Sequence, residues 1–321
     1  MGGSGNGGRP NPGTRTRARL VSATLDIFLQ QLINGLVLGS VYALIALGYT
    51  MVYGILELIN FAHGEVVMIG AMVTLAVVNA LVASGVALPG IIIVVAGLLV
   101  AVPVCMALGF VIERIAYRPL RRAPRLAPLI TAIGVSIVLQ NVAMIIWGRQ
   151  YISFPSILPS TRHEIGGAGV TDLQIFIFIL ALALMAGLIL LVQKTRIGRA
   201  MRATSQAPEI AGLMGVNVNA VISFTFILGS ALAAVAGVMV SAYYGIAHYY
   251  MGFLLGLKAF TAAVLGGIGN LAGAMLGGVL LGIIEALGAG YIGDITGGVF
   301  GSNYQDVFAF FVLILVLVFR P

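Results

Sequence analysis

Residues 56–70 read LELINFAHGEVVMIG. Two carboxylates (Glu57, Glu65), an imidazole (His63) and an amide (Asn60) stand together between long apolar runs. The surrounding composition sets what this grouping means. Of 321 residues, 60% are hydrophobic and only 8% charged, and the mean hydropathy is +1.10. A water-facing domain carries roughly 25% charged residues, so this chain cannot coat a solvated surface. Apolar runs of about 20 residues recur along it, the length of a membrane-crossing helix. The runs are continuous, without the in–out alternation of a β-barrel. The expected fold is all-α, a polytopic transmembrane helical bundle.

Basic clusters at 9–19, 113–125 and 193–202 flank the runs, and the positive-inside rule assigns all three to the cytoplasmic face. Residues 148–172, with Pro155 and Pro159, read as an outer loop. Eight clear spans follow, at 28–47, 65–83, 89–112, 126–147, 173–192, 220–242, 271–290 and 304–319. Parity with a cytoplasmic N-terminus then requires two short or broken helices, at 48–64 and 254–269. Residues 1–24, with four arginines among the first 19, read as a disordered basic N-terminal tail, with no removable signal peptide expected. Residues 25–321 form one membrane domain that includes a cytoplasmic loop at 194–219. The net charge of +7 flanks spans, so nucleic acid is not an expected partner; membrane lipid is. Cys105 stands alone in an apolar run, which excludes an internal disulfide and a thiolate metal site and leaves a small core hydrophobe.

The short elements resemble one another. IALGYTMVYGILELINFAHGEVVMIGAMV and LKAFTAAVLGGIGNLAGAMLGGVLLG each carry an apolar run, glycines, an asparagine (Asn60, Asn270) and a small-residue helix. Such an internal repeat of broken helices points to a midplane transport site. On a continuous helix Glu57, Asn60 and Gly64 form one stripe at i, i+3 and i+7, with His63 beside it. Polar groups inside the membrane face a cavity or the protein interior. The stripe is therefore either a polar-lined pathway or a hydrogen-bonded cluster locking a helix break. Gln140 and Asn141 lie mid-span as interhelical hydrogen-bonding groups or further pathway residues. Lys258 is expected to snorkel to an interface, and Glu285 to reach a rim. GGIGNLAG lacks the lysine and preceding strand of a phosphate loop.

The polar loop TRIGRAMRATSQAPEIAGLMGVNVN (195–219) opens on Arg196, Arg199 and Arg202. Pro208 suits a first helical turn, and Glu209 complements that helix's positive end. Ala211, Gly212 and Gly215 then leave one side slim, as a docking knob or as an ordinary structured loop.

INFAHGE, TRIGRAMRA…PEIAGLMGVNV and KAFTAAVLGGIGNLAGAMLGG, in that order, closely resemble permease subunits of bacterial high-affinity branched-chain amino-acid ABC transporters, from about residue 30 onward. ABC importer permeases share a loop of Glu-Ala-Ala, three residues, then Gly; Glu209, Ala211 and Gly215 match it, and Ile210 departs from it. The resemblance implies that the loop couples to ATPase subunits. It implies as partners a second homologous permease, two cytoplasmic ATPases and a periplasmic solute-binding protein, all at the bacterial inner membrane. ATP would be bound by those partners, with no cofactor or metal in this chain and no enzymatic site of its own. The family's usual cargo is leucine, isoleucine and valine; related permeases carry urea or short amides. The rival from another class is an ion-coupled secondary transporter relaying protons through Glu57, His63 and Glu65. An intramembrane enzyme is opposed by the supply of only three histidines, His63, His163 and His248.

Overall fold

The structure is a computed structural model that describes residues 12–85, 88–121, 123–124, 126–158, 160–297, 299 and 304–319. It is all-α, with eleven α-helices among the described residues: α1 Pro12–Leu56, α2 His63–Ala83, α3 Gly90–Val111, α4 Leu126–Trp147, α5 Asp172–Lys194, α6 Arg196–Gln206, α7 Pro208–Leu213, α8 Val218–Tyr244, α9 Met251–Gly266, α10 Leu271–Ile295 and α11 Gln305–Phe319. A π-helical turn, Ile112–Tyr117, and a 3-10 turn, Arg118–Leu120, extend α3. Two small antiparallel pairs, β1 (Ile152–Ser153) with β4 (Ile246–Ala247) and β2 (Arg162–Ile165) with β3 (Ala168–Thr171), gather at one end of the bundle.

Among the described residues, seven helices are long and apolar enough to cross a membrane, rather than the eight expected. Residues 48–64 are not a separate crossing. Their first part continues α1 to Leu56, and the chain then breaks until His63. The last helix, α11, has 15 residues and α9 has 16, each short of the roughly 20 that span hydrocarbon upright. The parity problem that called for an extra crossing also changes. Gln30 on α1 donates to the Gly169 carbonyl of β3 at 3.1 Å and accepts from the Gly169 N–H at 2.8 Å. The turn of α1 around Gln30 thus lies at the end of the bundle that carries loop 148–171, opposite α6 and α7. Helix α1 begins at Pro12, within the stretch 1–24 expected as a tail; residues 1–11 lie outside the described residues.

Helix α1 is the axis of the bundle, its membrane segment almost wholly buried. Its tightest neighbour is α10, and glycines set the spacing. A Cβ added at Gly39 would fall 2.8 Å from Val279 Cα, and one at Gly282 would fall 2.3 Å from Gly39 Cα. Backbone meets backbone there, the small-residue packing by which helices associate where lipid is as apolar as leucine. By contrast α3, α4 and α5 bury only 22%, 22% and 28% of their apolar segments.

Lys258 and Glu285 reach neither an interface nor a rim. Both are buried, at 5% and 0% exposure. Lys258 Nζ lies 2.6 Å from Glu285 Oε1 and 2.5 Å from Asp306 Oδ1. It also donates to the Tyr42 hydroxyl at 3.3 Å. The ammonium ties α9 to α10, α11 and α1 at once. Sequence could not pair Lys258 with partners 27 and 48 residues away on other helices.

Two measurements follow from this architecture. Lys258→Met strands a buried carboxylate, which costs about 3–5 kcal/mol and lowers the thermal midpoint in detergent; adding Glu285→Gln should recover most of the loss. Equal stability of wild type and single variant would remove the ion cluster from the list of fold determinants. In a Cys105→Ala background, cysteines at Leu25 and Glu164 should label with an impermeant maleimide from one side of the membrane, and one at Ser205 from the other. Labelling of Leu25 and Ser205 from a common side contradicts the arrangement.

Candidate functional site

The polar stretch that opened the reading sits at the break between α1 and α2. Helix α1 ends when Glu57 adopts φ 53°, the left-handed region that a residue with a Cβ enters at a cost of roughly 1–2 kcal/mol. The expected stripe of Glu57, Asn60 and Gly64 therefore does not exist. Glu57 is exposed on the irregular segment 57–62, while Asn60 turns inward with 3% exposure. Its Oδ1 accepts from the Tyr117 hydroxyl at 3.1 Å, and Tyr117 also reaches the Ile59 carbonyl at 3.3 Å. One phenol from the π-helical turn thus pins the break.

His63 and Glu65 occupy the first turn of α2, both buried. The imidazole meets the Tyr49 ring edge-on, with centroids 4.9 Å apart. Gly48 makes room for it, since a Cβ there would fall 2.2 Å from His63 Nε2. Glu65 Oε1 accepts from Ser136 at 2.9 Å and Gln140 at 2.7 Å, both on α4. The positive end of α2 favours a carboxylate at this position. Glu65 Oε2 has no hydrogen-bond partner among the described residues and faces Gly252 of α9, where a Cβ would sit 2.6 Å away. The break therefore joins α2, α4 and the π turn through buried polar contacts, α1 through the Tyr49–His63 ring contact, and packs closely against α9. Sequence analysis placed Asn60, His63, Glu65 and Gln140 together, but missed Tyr49, Tyr117 and Ser136, which look like ordinary span residues until the fold brings them in.

Two other candidates lie elsewhere. Asn141 is exposed and donates to the Ile137 carbonyl of its own helix at 2.7 Å. Asn270 caps α10, accepting from the Gly273 N–H at 3.2 Å. Asn60 caps nothing, because the residue before α2 is Ala62. The two asparagines of the expected repeat thus do different work. No group of three or more His, Cys, Asp or Glu residues able to hold a metal occurs among the described residues.

The segment 195–219 lies at the opposite end from loop 148–171. Thr195 caps α6 by accepting from the Gly198 N–H at 3.0 Å, and Arg202 donates to the Val192 carbonyl at the end of α5. Arg196 and Arg199 are exposed, as are Glu209 and Gly215. Helix α7 starts on Pro208 with Glu209 in its first turn, as expected, and Gly215 closes it at φ 86°. The slim face is divided, with Gly212 and Gly215 exposed. Ala211 is buried toward the bundle, while Ile210, Leu213 and Met214 are 62%, 87% and 81% exposed. A contiguous apolar patch on a polar loop marks a contact surface. Its i, i+3, i+4 spacing was readable in sequence.

A polar chain runs from this segment to the break. Asn217 caps α8 by accepting from the Ala220 N–H at 3.1 Å. One turn on, Ser223 donates to buried Glu113 at 2.7 Å, and Glu113 also pairs with Arg118 at 3.1 Å and with Arg121. Arg121 donates in turn to Asn219 at 2.7 Å. Glu113 and Tyr117 belong to the same π-helical turn, and Tyr117 holds Asn60.

Comparison with known proteins accounts for nearly the whole chain. Residues 31–317 match the profile of the family described as "Branched-chain amino acid transport system / permease component". The chain is 48% identical over 299 residues to the high-affinity branched-chain amino acid transport system permease protein BraD of Pseudomonas aeruginosa, covering 92% of this chain and 94% of that protein. It is 46% identical to the corresponding permease LivH of Escherichia coli, with the same coverage. A more distant relative, the probable branched-chain amino acid transport permease LivH of Methanocaldococcus jannaschii, is 29% identical over 92% of each chain. A match this complete in length and this high in identity shows that the chain belongs to the permease-component family of branched-chain amino acid transport systems.

Proposed function

We propose that this chain is one membrane subunit of an ATP-driven importer that carries branched-chain amino acids across a bacterial inner membrane. The observation that carries the mechanism is the apolar face Ile210–Leu213–Met214, presented beyond the helices at the end opposite loop 148–171. A patch of this kind serves as a socket for a cytoplasmic ATPase. Glu209 and the arginines Arg196, Arg199 and Arg202 supply its polar rim, and Gly215 provides the turn that sets the α7 angle. The partners of the working assembly are a second homologous permease, two ATPase subunits and a periplasmic solute-binding protein. The lightly buried faces of α3, α4 and α5 suit lipid and the second permease.

In this reading ATP is bound by partner subunits and work arrives through contact. Movement of α7 passes to the first turns of α8, then through Ser223 and Glu113 to the π turn, and from Tyr117 to the break at Asn60. π turns inside helices recur at functional positions because one extra residue per turn makes the backbone locally adjustable. Asn60, His63, Glu65 and Gln140 form the gate region, with exposed Glu57 at its mouth. The proton-relay rival draws on Glu57, His63 and Glu65, of which Glu57 is exposed and the other two buried.

Leu213→Asp or Glu209→Lys should reduce co-purification of the ATPase by about tenfold, the equivalent of roughly 1.4 kcal/mol, while membrane insertion stays normal. Unchanged association would free α7 from the socket role. Asn60→Ala or Glu65→Ala removes a partner from a buried polar contact worth about 1–3 kcal/mol. Reconstituted ATP-driven leucine uptake should then fall roughly tenfold at unchanged subunit stoichiometry. Uptake at wild-type rate reduces the cluster to scaffold, and uptake driven by a proton gradient without ATPases sinks the importer reading itself.

A further inference from the structure

At the end of the bundle that carries loop 148–171, a cavity of about 210 Å³ opens between α3, α5 and α8. Helix α3 lines it from Ile91 to Leu98, α5 from Leu173 to Leu180 and α8 from Val235 to Ala242, each at i, i+3, i+4 and i+7. Three stripes of that spacing, one per helix, bound a straight slot parallel to the helix axes. Seven residues at 1.5 Å rise make it about 10 Å long, about two-thirds of the depth of one leaflet in a hydrocarbon core of about 30 Å. Every side chain in the stripes is apolar. Ile91 and Phe176 are 52% and 55% exposed, so the slot opens sideways, through the faces of α3 and α5 that the bundle leaves bare. Asp172 is the one polar side chain among the described lining residues. It stands at the outer rim, paired with exposed His163 at 2.7 Å. Spread over its length, the volume leaves a section of about 20 Å², far too slim for a helix 10–12 Å across. An amino acid suits it no better, since its carboxylate would find only Asp172 and apolar walls, with no side-chain donor among the described lining residues.

We propose that this slot seats one acyl chain of a phospholipid from the leaflet on the loop 148–171 side. Continuity with the membrane decides the occupant. The slot is a recess in the bare outer surface of two spanning helices, charged at headgroup level and apolar below, which matches an amphiphile entering head outward. The assignment rests on the membrane placement of the bundle and not on the cargo. Bulk lipid is as apolar as the slot, so the preference for the seat comes from dispersion contacts with three preformed walls. The consequence is structural. Helices α3 and α5 both lie against α8 and face each other across the slot. A seated chain fills the space between them, and the lipid thereby supplies a contact that the polypeptide leaves open.

The test uses the full chain in nanodiscs of phosphatidylethanolamine and phosphatidylglycerol, doped with a phosphatidylcholine that carries a diazirine on its acyl chain. Photolabelling is expected at Leu98, Leu180 and Met239, enriched about threefold or more over Ile145, a 78% exposed residue of α4 outside the slot, because three walls add dispersion contacts. Val238→Trp fills the slot and should bring its labelling down to the Ile145 level, whereas Val238→Ala should leave the enrichment in place. In detergent, added phospholipid should raise the thermal midpoint of the wild type, and Val238→Trp should remove most of that rise. If Val238→Trp does not fold, the labelling map of the wild type decides alone. Labelling of the slot no stronger than that of Ile145 marks ordinary bilayer contact and overturns the seat. Slot labelling that disappears when the second permease is bound marks a subunit interface, and displacement of the label by free leucine marks a cargo site; either result overturns the lipid assignment.

Discussion

Hydrocarbon offers no water to a polar group, so a polar group inside this bundle is costly unless it finds a partner in protein. That constraint explains why the chain's few polar side chains concentrate at joints. A break between α1 and α2 frees backbone N–H and C=O groups, and it is held because Tyr117, Ser136 and Gln140 converge on it from two other elements. Glu113 is admitted to the interior with two arginines and a serine. Lys258 is admitted with two carboxylates and a phenol. In each case the partners come from separate helices, so the polar contacts that make burial tolerable also decide which helices are joined.

The joints fall into two mechanical groups. The Glu113 and Asn60 contacts link the exposed face of α7 to the interior through α8 and the π turn. The Lys258 contacts link α9, α10 and α11 to α1 on the far side of the axis. Glu65 stands between the two groups, bonded to α4 on one oxygen and facing α9 with the other. A buried carboxylate with one unsatisfied oxygen is poised for a rearrangement of its neighbours, because a small shift of α9 changes what that oxygen meets.

Much of this was legible from residue order, and the failures have physical causes. Hydropathy identified the long helices because lipid contact demands nearly continuous apolar runs, and Pro208 and Glu209 marked α7 because helix starts have few acceptable chemistries. The break was located correctly but drawn as a helical stripe; only Glu57 in the left-handed region ends the helix, and nothing local announces that conformation. The place of α1 in the bundle is set by a long-range contact, Gln30 with Gly169 of β3, that the local arginine pattern does not encode. The apolar part of α7's exposed face was overlooked because the small residues were taken as the whole of the outward surface. Ala211 packs against the bundle, while Gly212 and Gly215 stay on the exposed side beside Ile210, Leu213 and Met214. Long-range pairs such as Lys258 with Glu285 and Tyr117 with Asn60 depend on tertiary approach, which no local pattern encodes.

The glycine contact between α1 and α10 limits how the protein can move. With Gly39 and Gly282 in backbone-to-backbone register, no layer of side chains lies between the two helices to swap rotamers and accommodate sliding. Any relative displacement would be opposed by direct main-chain collision. The pair is therefore the rigid element of the bundle, and the lightly buried helices α3, α4 and α5 are the ones least constrained by neighbours within the chain.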